Sequence, residues 1–175
     1  TVASVEGGML AWNLDVLGKT SVVERFVNNQ YSEKYLSTVG VKIDTKEIEH
    51  SELGVSHKLV VWDVAGSDRF GPTEFAYLRG ANGYILVADG TRPMTLASLE
   101  ALHAQIDEQY GPSPCIVLVN KRDLVAKWGV SDERFDELSS KYKHIYKTSA
   151  KIGTDVEQAM IRLAEMIVEI DLRES

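Results

Sequence analysis

Four short stretches carry residue types suited to phosphate and nucleobase chemistry: Gly18-Lys19-Thr20-Ser21, Asp63 to Gly66, Asn120 to Asp123, and Ser149-Ala150-Lys151. A lysine that follows a glycine at a helix start sets a positive charge beside free backbone amides, and both attract anions. Lys19 is in place to reach the outer phosphates of a nucleotide, and the Thr20 hydroxyl is a candidate ligand for Mg2+. Asp63 is expected to hold the same magnesium through water, while the Gly66 amide reaches a terminal phosphate. A carboxylate at Asp123 can accept two hydrogen bonds from guanine, one from the ring N–H and one from the exocyclic amine. Adenine offers an acceptor at that ring position and no neighbouring amine, so it leaves the carboxylate buried and unpaired. The aliphatic stem of Lys121 can lie over the base plane. The Ala150 amide can donate to the guanine carbonyl oxygen.

These stretches need strands and helices to bring them together. Apolar runs of strand length occur at 7–13, 57–66, 83–90 and 115–121, with a last short one at 144–150. The runs at 83–90 and 115–121 are apolar on both faces, as in the centre of a parallel sheet covered on both sides. Val39, Val41 and Ile43 alternate with Gly40, Lys42 and Asp44, as in a half-buried strand. That strand, 39 to about 49, is predicted to be an antiparallel edge joined to the next by a hairpin near Gly54. Helical stripes fall at 19–29 (Val22, Val23, Phe26, Val27), at 95–110 (Leu96, Leu99, Leu102, Ile106) and at 153–171 (Val156, Met160, Leu163, Ile167). A further helix, 131–142, opens with Ser131 as half of a capping box. Alternating strand and helix predicts an α/β fold with a mostly parallel sheet and right-handed crossovers. Ligands in such sheets bind beyond the carboxyl ends of the strands, and each of the four stretches lies at the end of a predicted strand or just after one.

Composition narrows the class. The chain has 175 residues, 44% hydrophobic and 26% charged, which suits one domain spanning 1–175 with one sizeable core. Its formal net charge is -7. That argues against a nucleic-acid partner bound through a basic surface and against a polybasic membrane patch. The single cysteine, Cys115, excludes an internal disulfide and predicts a reducing, cytoplasmic setting; it is expected to be buried and inert. No apolar run approaches the roughly 20 residues of a membrane helix. The four histidines show no metal-ligand spacing and are expected at the surface or at strand ends. Trp128 is placed in a loop that could meet a partner.

With these stretches set out, the chain resembles a small GTPase of the Ras superfamily, nearest to the Rab branch. The resemblance rests on "GKTS" (18–21), "STVGVK" (37–42), "WDVAGSDRF" (62–70), "YLRGANGYILVAD" (77–89), "NKRD" (120–123) and "TSAK" (148–151), in family order and spacing. It implies a P-loop NTPase G domain: a mostly parallel six-stranded sheet with helices on both faces and one antiparallel edge strand. It implies GTP or GDP with Mg2+ as cofactors, and GTP hydrolysis as the activity. Lys19, Thr38, Gly66 and Ser67 then fall at catalytic positions. The nucleotide contacts comprise Asp15, Val16, Leu17, Gly18, Lys19, Thr20 and Ser21 from the phosphate loop, Tyr31 against the guanine edge, and Thr38 and Gly66 at the outer phosphate. Asn120, Lys121, Asp123, Ser149, Ala150 and Lys151 surround the base. Thr20, Thr38 and Asp63 form the magnesium set. Residues 31–42 and 64–78 become two switches that order around the γ-phosphate. Effectors, exchange factors and GTPase-activating proteins are the implied partners of a monomer. Val41, Ile43, Trp62, Phe70 and Tyr77 are either the face effectors read or plain packing.

The departures from the family pattern bear on hydrolysis. Asn13 stands where a glycine normally opens the loop, and asparagine tolerates left-handed backbone better than most residues. Asp15 falls where a small residue leaves room for the attacking water and an activating arginine. An outward turn into solvent spares it an unpaired burial. Ser67 replaces the glutamine that orients that water. Asp68 is read as a solvated loop charge. Slow hydrolysis is therefore expected from Asp15 and Ser67. The alternatives are a nucleotide-bound pseudo-GTPase adaptor without hydrolysis and an empty scaffold. The end of the sequence, "EIDLRES", has no cysteine for prenylation, so no lipid anchor of that kind is expected in the chain as given.

Overall fold

The computed structural model describes residues 3–12, 18–29, 41–64 and 72–174. In chain order the elements are β1 (Ala3–Trp12), α1 (Lys19–Asn28), β2 (Val41–His50), β3 (Val55–Val64), α2 (Pro72–Leu78), β4 (Gly83–Asp89), α3 (Met94–Tyr110), β5 (Cys115–Asn120), a 3-10 turn (Val125–Lys127), α4 (Asp132–Lys141), β6 (Ile145–Lys147) and α5 (Val156–Glu174). The strands make one sheet in the order β2-β3-β1-β4-β5-β6. Strands β3, β1, β4, β5 and β6 run parallel, and β2 pairs antiparallel with β3 at the edge.

The apolar runs cover both faces because side chains alternate along a strand. Ile85 and Val87 of β4 and Ile116 and Leu118 of β5 face one way, into a core with Val22, Val23 and Phe26 of α1 and Met160, Leu163 and Ile167 of α5. Tyr84, Leu86 and Ala88, with Val117 and Val119, face the other way, against Leu96, Leu99, Leu102 and Ile106 of α3 and Leu138 of α4. Each fully buried aliphatic side chain is worth roughly 1.5–3 kcal/mol of transfer free energy. Two such layers clamp the central strands and leave their carboxyl ends as a firm platform.

The edge strand departs from the predicted pattern. Val41 is half-buried, but Ile43 is 53% exposed. The residues turned toward α1 are the even-numbered ones. Ile48 joins the α1/α5 core, and Lys46 sits 4.0 Å above the Phe26 ring while donating to the Phe26 carbonyl. Register explains it: Ile43 lies opposite Trp62, on the face that looks toward α2. The hairpin at 51–54 is as expected, with the amides of Leu53 and Gly54 both donating to the His50 carbonyl.

Other boundaries also moved. β1 begins at Ala3, not Gly7, because β3 lends it a parallel partner from Val55 onward. β6 is only Ile145–Lys147, and α5 starts at Val156, because the residues between them form a turn closed by a Ser149–Thr154 bridge. The histidine expectation holds for His50, at the end of β2, and fails for His57, buried inside β3. His50 and His57 are 6% and 0% exposed, with ring centroids 5.7 Å apart. Burial and the neighbouring His50 depress the His57 pKa, which Asp171 partly opposes. Cys115 is half-buried at the start of β5, and burial pushes its thiol far up, so it is unreactive.

Candidate functional site: a nucleotide cleft at the carboxyl edge of the sheet

The half expected to hold phosphate begins, among the described residues, at Gly18. Its φ of 87° lies in the left-handed region, which glycine enters without strain. The first intrahelical bond of α1 runs from the Val22 amide to the Gly18 carbonyl, so the amides of the first turn lie at the positive end of the helix. These are the groups that draw anions. Lys19 is 6% exposed, donates to the Val64 carbonyl, and has Nζ 3.4 Å from Asp63 Oδ1. Burial lowers its pKa, and Asp63 opposes that. The Thr20 hydroxyl donates to Asp63 Oδ2 at 2.6 Å. Asp63 itself is fully buried at the end of β3, beside the last residues of β1. A hydroxyl and a carboxylate joined this way are hard oxygen donors of the kind Mg2+ prefers.

The half expected to hold the base comes from the ends of β5 and β6. Asn120 is 2% exposed, and its Oδ1 accepts from the Ala150 amide at 3.1 Å and from the Thr148 hydroxyl at 3.3 Å. It thereby pins the two base loops together. A methyl group on Gly18 would lie 2.5 Å from Asn120 Nδ2, so the phosphate and base halves meet at that point. The Ser149 hydroxyl donates to Asp123 Oδ1 at 2.7 Å and accepts from the Ile152 amide. Ser149 therefore orients the Asp123 carboxylate, a more specific role than general contact. Lys121 has a φ of 71°, and its ammonium lies 2.7 Å from Asp89 Oδ2. Lys151 is exposed, and its carbonyl accepts from Arg25.

The two halves enclose a cleft of about 210 Å3, with Gly18 and Ser21 on one side and Asn120, Lys121, Asp123 and Ala150 on the other. A larger depression of about 370 Å3 lies elsewhere, at Ala76, Arg79, Gln109 and Tyr110; it gathers no comparable set of groups. Asp15, Val16, Leu17, Tyr31, Thr38, Gly66 and Ser67 lie outside the described residues.

A model of the family described as "Ras family" matches residues 15–169. The chain belongs to the Ras family. It is 36% identical over 160 residues to the GTP-binding protein ypt1 of Schizosaccharomyces pombe, covering 87% of this chain and 75% of that one. It is 35% identical over 153 residues to the Ras-related protein RABD1 of Arabidopsis thaliana, covering 85% and 72%. It is 32% identical over 156 residues to the Ras-related protein Rab-32C of Dictyostelium discoideum, covering 87% and 69%. Rab-named relatives therefore lie on the branch that the motifs indicated. Members of the Ras family bind GDP and GTP with Mg2+ on a P-loop α/β domain, and this chain is a small GTPase of that kind.

In this Ras-family chain, several supporting residues escaped the sequence reading. Arg25, on α1, donates through Nε to the Ala150 carbonyl at 2.8 Å and so ties the base loop to the phosphate helix. A lone arginine in an amphipathic helix looks like a solvated charge, and only the fold brings it to residue 150. Asp89 is fully buried at the end of β4, and accepts from Lys121 and from the amide and hydroxyl of Thr91. Burial alone would raise its pKa, but the hydrogen bonds from Lys121 and Thr91 outweigh burial and hold it below the ordinary carboxylate range. The strand-end position of Asp89 was the available signal. Trp128 lies in a loop, as expected, and is half-buried there against Gly90 and the α3/α4 core.

Proposed function

We propose that this chain is a guanine-nucleotide switch that binds GDP and GTP with Mg2+ and hydrolyses GTP slowly. The observation that carries the reading is the Asp123 carboxylate, oriented by Ser149 at the mouth of a cleft whose other wall is the Gly18–Ser21 helix start. In that cleft the α1 amides and Lys19 bind the phosphates, and Lys19 leaves Asp63 and Val64 to do so. Thr20 and Asp63, with Thr38, hold the magnesium. Bound there, Mg2+ neutralises phosphate charge. Asn120 and Asp123 select guanine, the Ala150 amide leaves Asn120 Oδ1 to donate to it, and Tyr31 packs at its edge. Gly66 and Thr38 sense the outer phosphate.

Phosphoryl transfer needs positioning and charge neutralisation more than covalent chemistry. Lys19 and the oxygen donors supply that. Ser67 is too short to orient the attacking water as glutamine does, and Asp15 brings a negative charge close to it. Ile43, 53% exposed on the edge strand, and the Trp62–Tyr77 ring pair, 6.2 Å apart, form the face that effectors read. The chain works as a monomer in the cytoplasm and meets exchange factors and activating proteins through its switches. Among the described residues no helix is long and apolar enough to cross a membrane.

The test is nucleotide extraction from purified protein followed by single-turnover GTP cleavage with magnesium. Co-purified GDP or GTP is expected, with a cleavage rate below the order of 10⁻⁴ per second of an intact, unassisted site. A rate at or above that value overturns slow hydrolysis. No cleavage under any activating partner turns the reading into a nucleotide-bound adaptor.

A further inference from the structure

Gly90 leaves a notch. A methyl group on its α-carbon would lie 2.0 Å from Cζ3 of Trp128, 2.4 Å from Cη2 and 2.5 Å from Cε3. The six-membered ring of the indole therefore sits directly on the Gly90 backbone, where no other residue type leaves room. Gly90 follows Asp89, the carboxylate that holds Lys121. The Gly90 amide donates to the Asn120 carbonyl at 2.9 Å, and the Gly90 carbonyl accepts from the Gly129 amide at 2.8 Å. The indole N–H of Trp128 donates to the Val130 carbonyl at 3.0 Å, which fixes the ring in its own loop. Gly129 is packed as closely, since a methyl group there would lie 2.9 Å from Pro93 Cγ.

These contacts hold the segment after the base loop to the turn after β4, with residues 120–123 between the two. Asn120 is bonded through its carbonyl to Gly90, and Lys121 through its ammonium to Asp89. Leu124 and Lys127 continue in tight turns, with amides donating to Lys121 and Leu124.

We propose that Trp128, seated in the Gly90 notch, is a positioning residue for the purine base: it holds the Asn120–Asp123 loop and so sets how tightly and how selectively guanine is bound. The inference rests on the nucleotide-binding reading above. Residue pairs that share one contact are non-additive, and coupling of a remote group to a ligand site is typically worth about 5- to 150-fold.

The experiment measures release of GDP and of inosine diphosphate, which lacks the exocyclic amine, from the full chain with magnesium. Wild type, Trp128→Ala, Trp128→Phe, Gly90→Ala and the Gly90→Ala/Trp128→Ala double variant are compared. Trp128→Ala is expected to speed GDP release roughly tenfold and to narrow the difference between GDP and inosine diphosphate. Trp128→Phe should restore most of both, Gly90→Ala should mimic the loss by expelling the ring, and the double variant should be no worse than Trp128→Ala. Loss of melting temperature with unchanged GDP release and unchanged discrimination overturns the proposal, because it leaves Trp128 only a packing role. If Trp128→Ala does not fold, Gly90→Ala carries the same decision. A wild-type chain that binds neither diphosphate sinks the nucleotide reading itself, whereas wild-type binding with unaltered variants sinks this inference alone.

Discussion

At the scale of single residues, the base loop and the phosphate loop make separable demands. Asp123 offers two acceptor oxygens, one already steadied by Ser149. Replacing it with alanine removes charge-assisted hydrogen bonds worth about 1.5–3 kcal/mol each. GDP affinity, followed by calorimetry, should fall by at least about tenfold on that scale, while the fold is kept. Gly18 is constrained twice, by a φ of 87° and by the 2.5 Å approach of Asn120 Nδ2 to any added methyl group. Gly18→Ala should cost about 1–2 kcal/mol in backbone strain, displace Asn120, and abolish measurable GDP retention on gel filtration. Ser67→Gln tests the chemistry, since it restores a side chain long enough to orient water. If hydrolysis is slow, it should raise single-turnover GTP cleavage with little change in GTP affinity; an unchanged rate would show that Ser67 does not limit it.

At the scale of elements, the strands and helices were legible where pattern and partner agree. The runs at 83–90 and 115–121 were apolar on both faces and became central strands between two helical layers. The α4 start was legible from Ser131, whose hydroxyl accepts from the Arg134 amide. Ser131→Ala should lower stability by about 1 kcal/mol, read in urea unfolding, without altering GDP release. Elements failed to show when their reason lay elsewhere in the chain. α2, seven residues long, has too few turns for a stripe to register. In β2 the alternation is real, with Val41 against the α2/α3 side, but Ile43 stays exposed and the face turned to α1 carries Lys46 and Ile48, because the sequence does not say which face α1 covers. The far end of β6 was read as strand, yet Thr148 and Ser149 leave the sheet to bond Asn120 and Asp123.

At the scale of the whole molecule, ligand and proton both act on the folding equilibrium. A ligand that binds only the folded chain stabilises it by about 2.7 kcal/mol at a hundredfold excess over Kd. GDP with magnesium should therefore raise the melting temperature, and chelation of the metal should reverse part of the gain. Acid should act the other way. His57 is buried with a depressed pKa, so the unfolded chain takes up that proton more readily. Stability rises with pH wherever the unfolded state binds more protons. The His57 contribution is thus complete above its ordinary value of 6.5 and is lost as pH falls below it. Asp89 and Glu100 have depressed carboxyl pKa values; their contributions hold above the ordinary carboxylate range and disappear below it. A melting-temperature series should decline in two stages, and His57→Phe should diminish the first, which His103 and His144, also held below the ordinary histidine value by burial, share.

The sequence by itself determined the chemistry and the order of the parts. Lys19, Thr20, Asp63, Asn120 and Asp123 are legible one at a time, because a charge, a hydroxyl or a carboxylate keeps its chemical capacity wherever it stands. Alternation of strand and helix then sends the four stretches to one edge of a sheet. What only the tertiary structure decided are the relations between residues far apart in the chain: Arg25 on the Ala150 carbonyl, Ser149 on Asp123, Trp128 in the notch of Gly90. Each depends on distance in space, and distance is set by how two helical layers close on the sheet, which no local pattern of residues encodes.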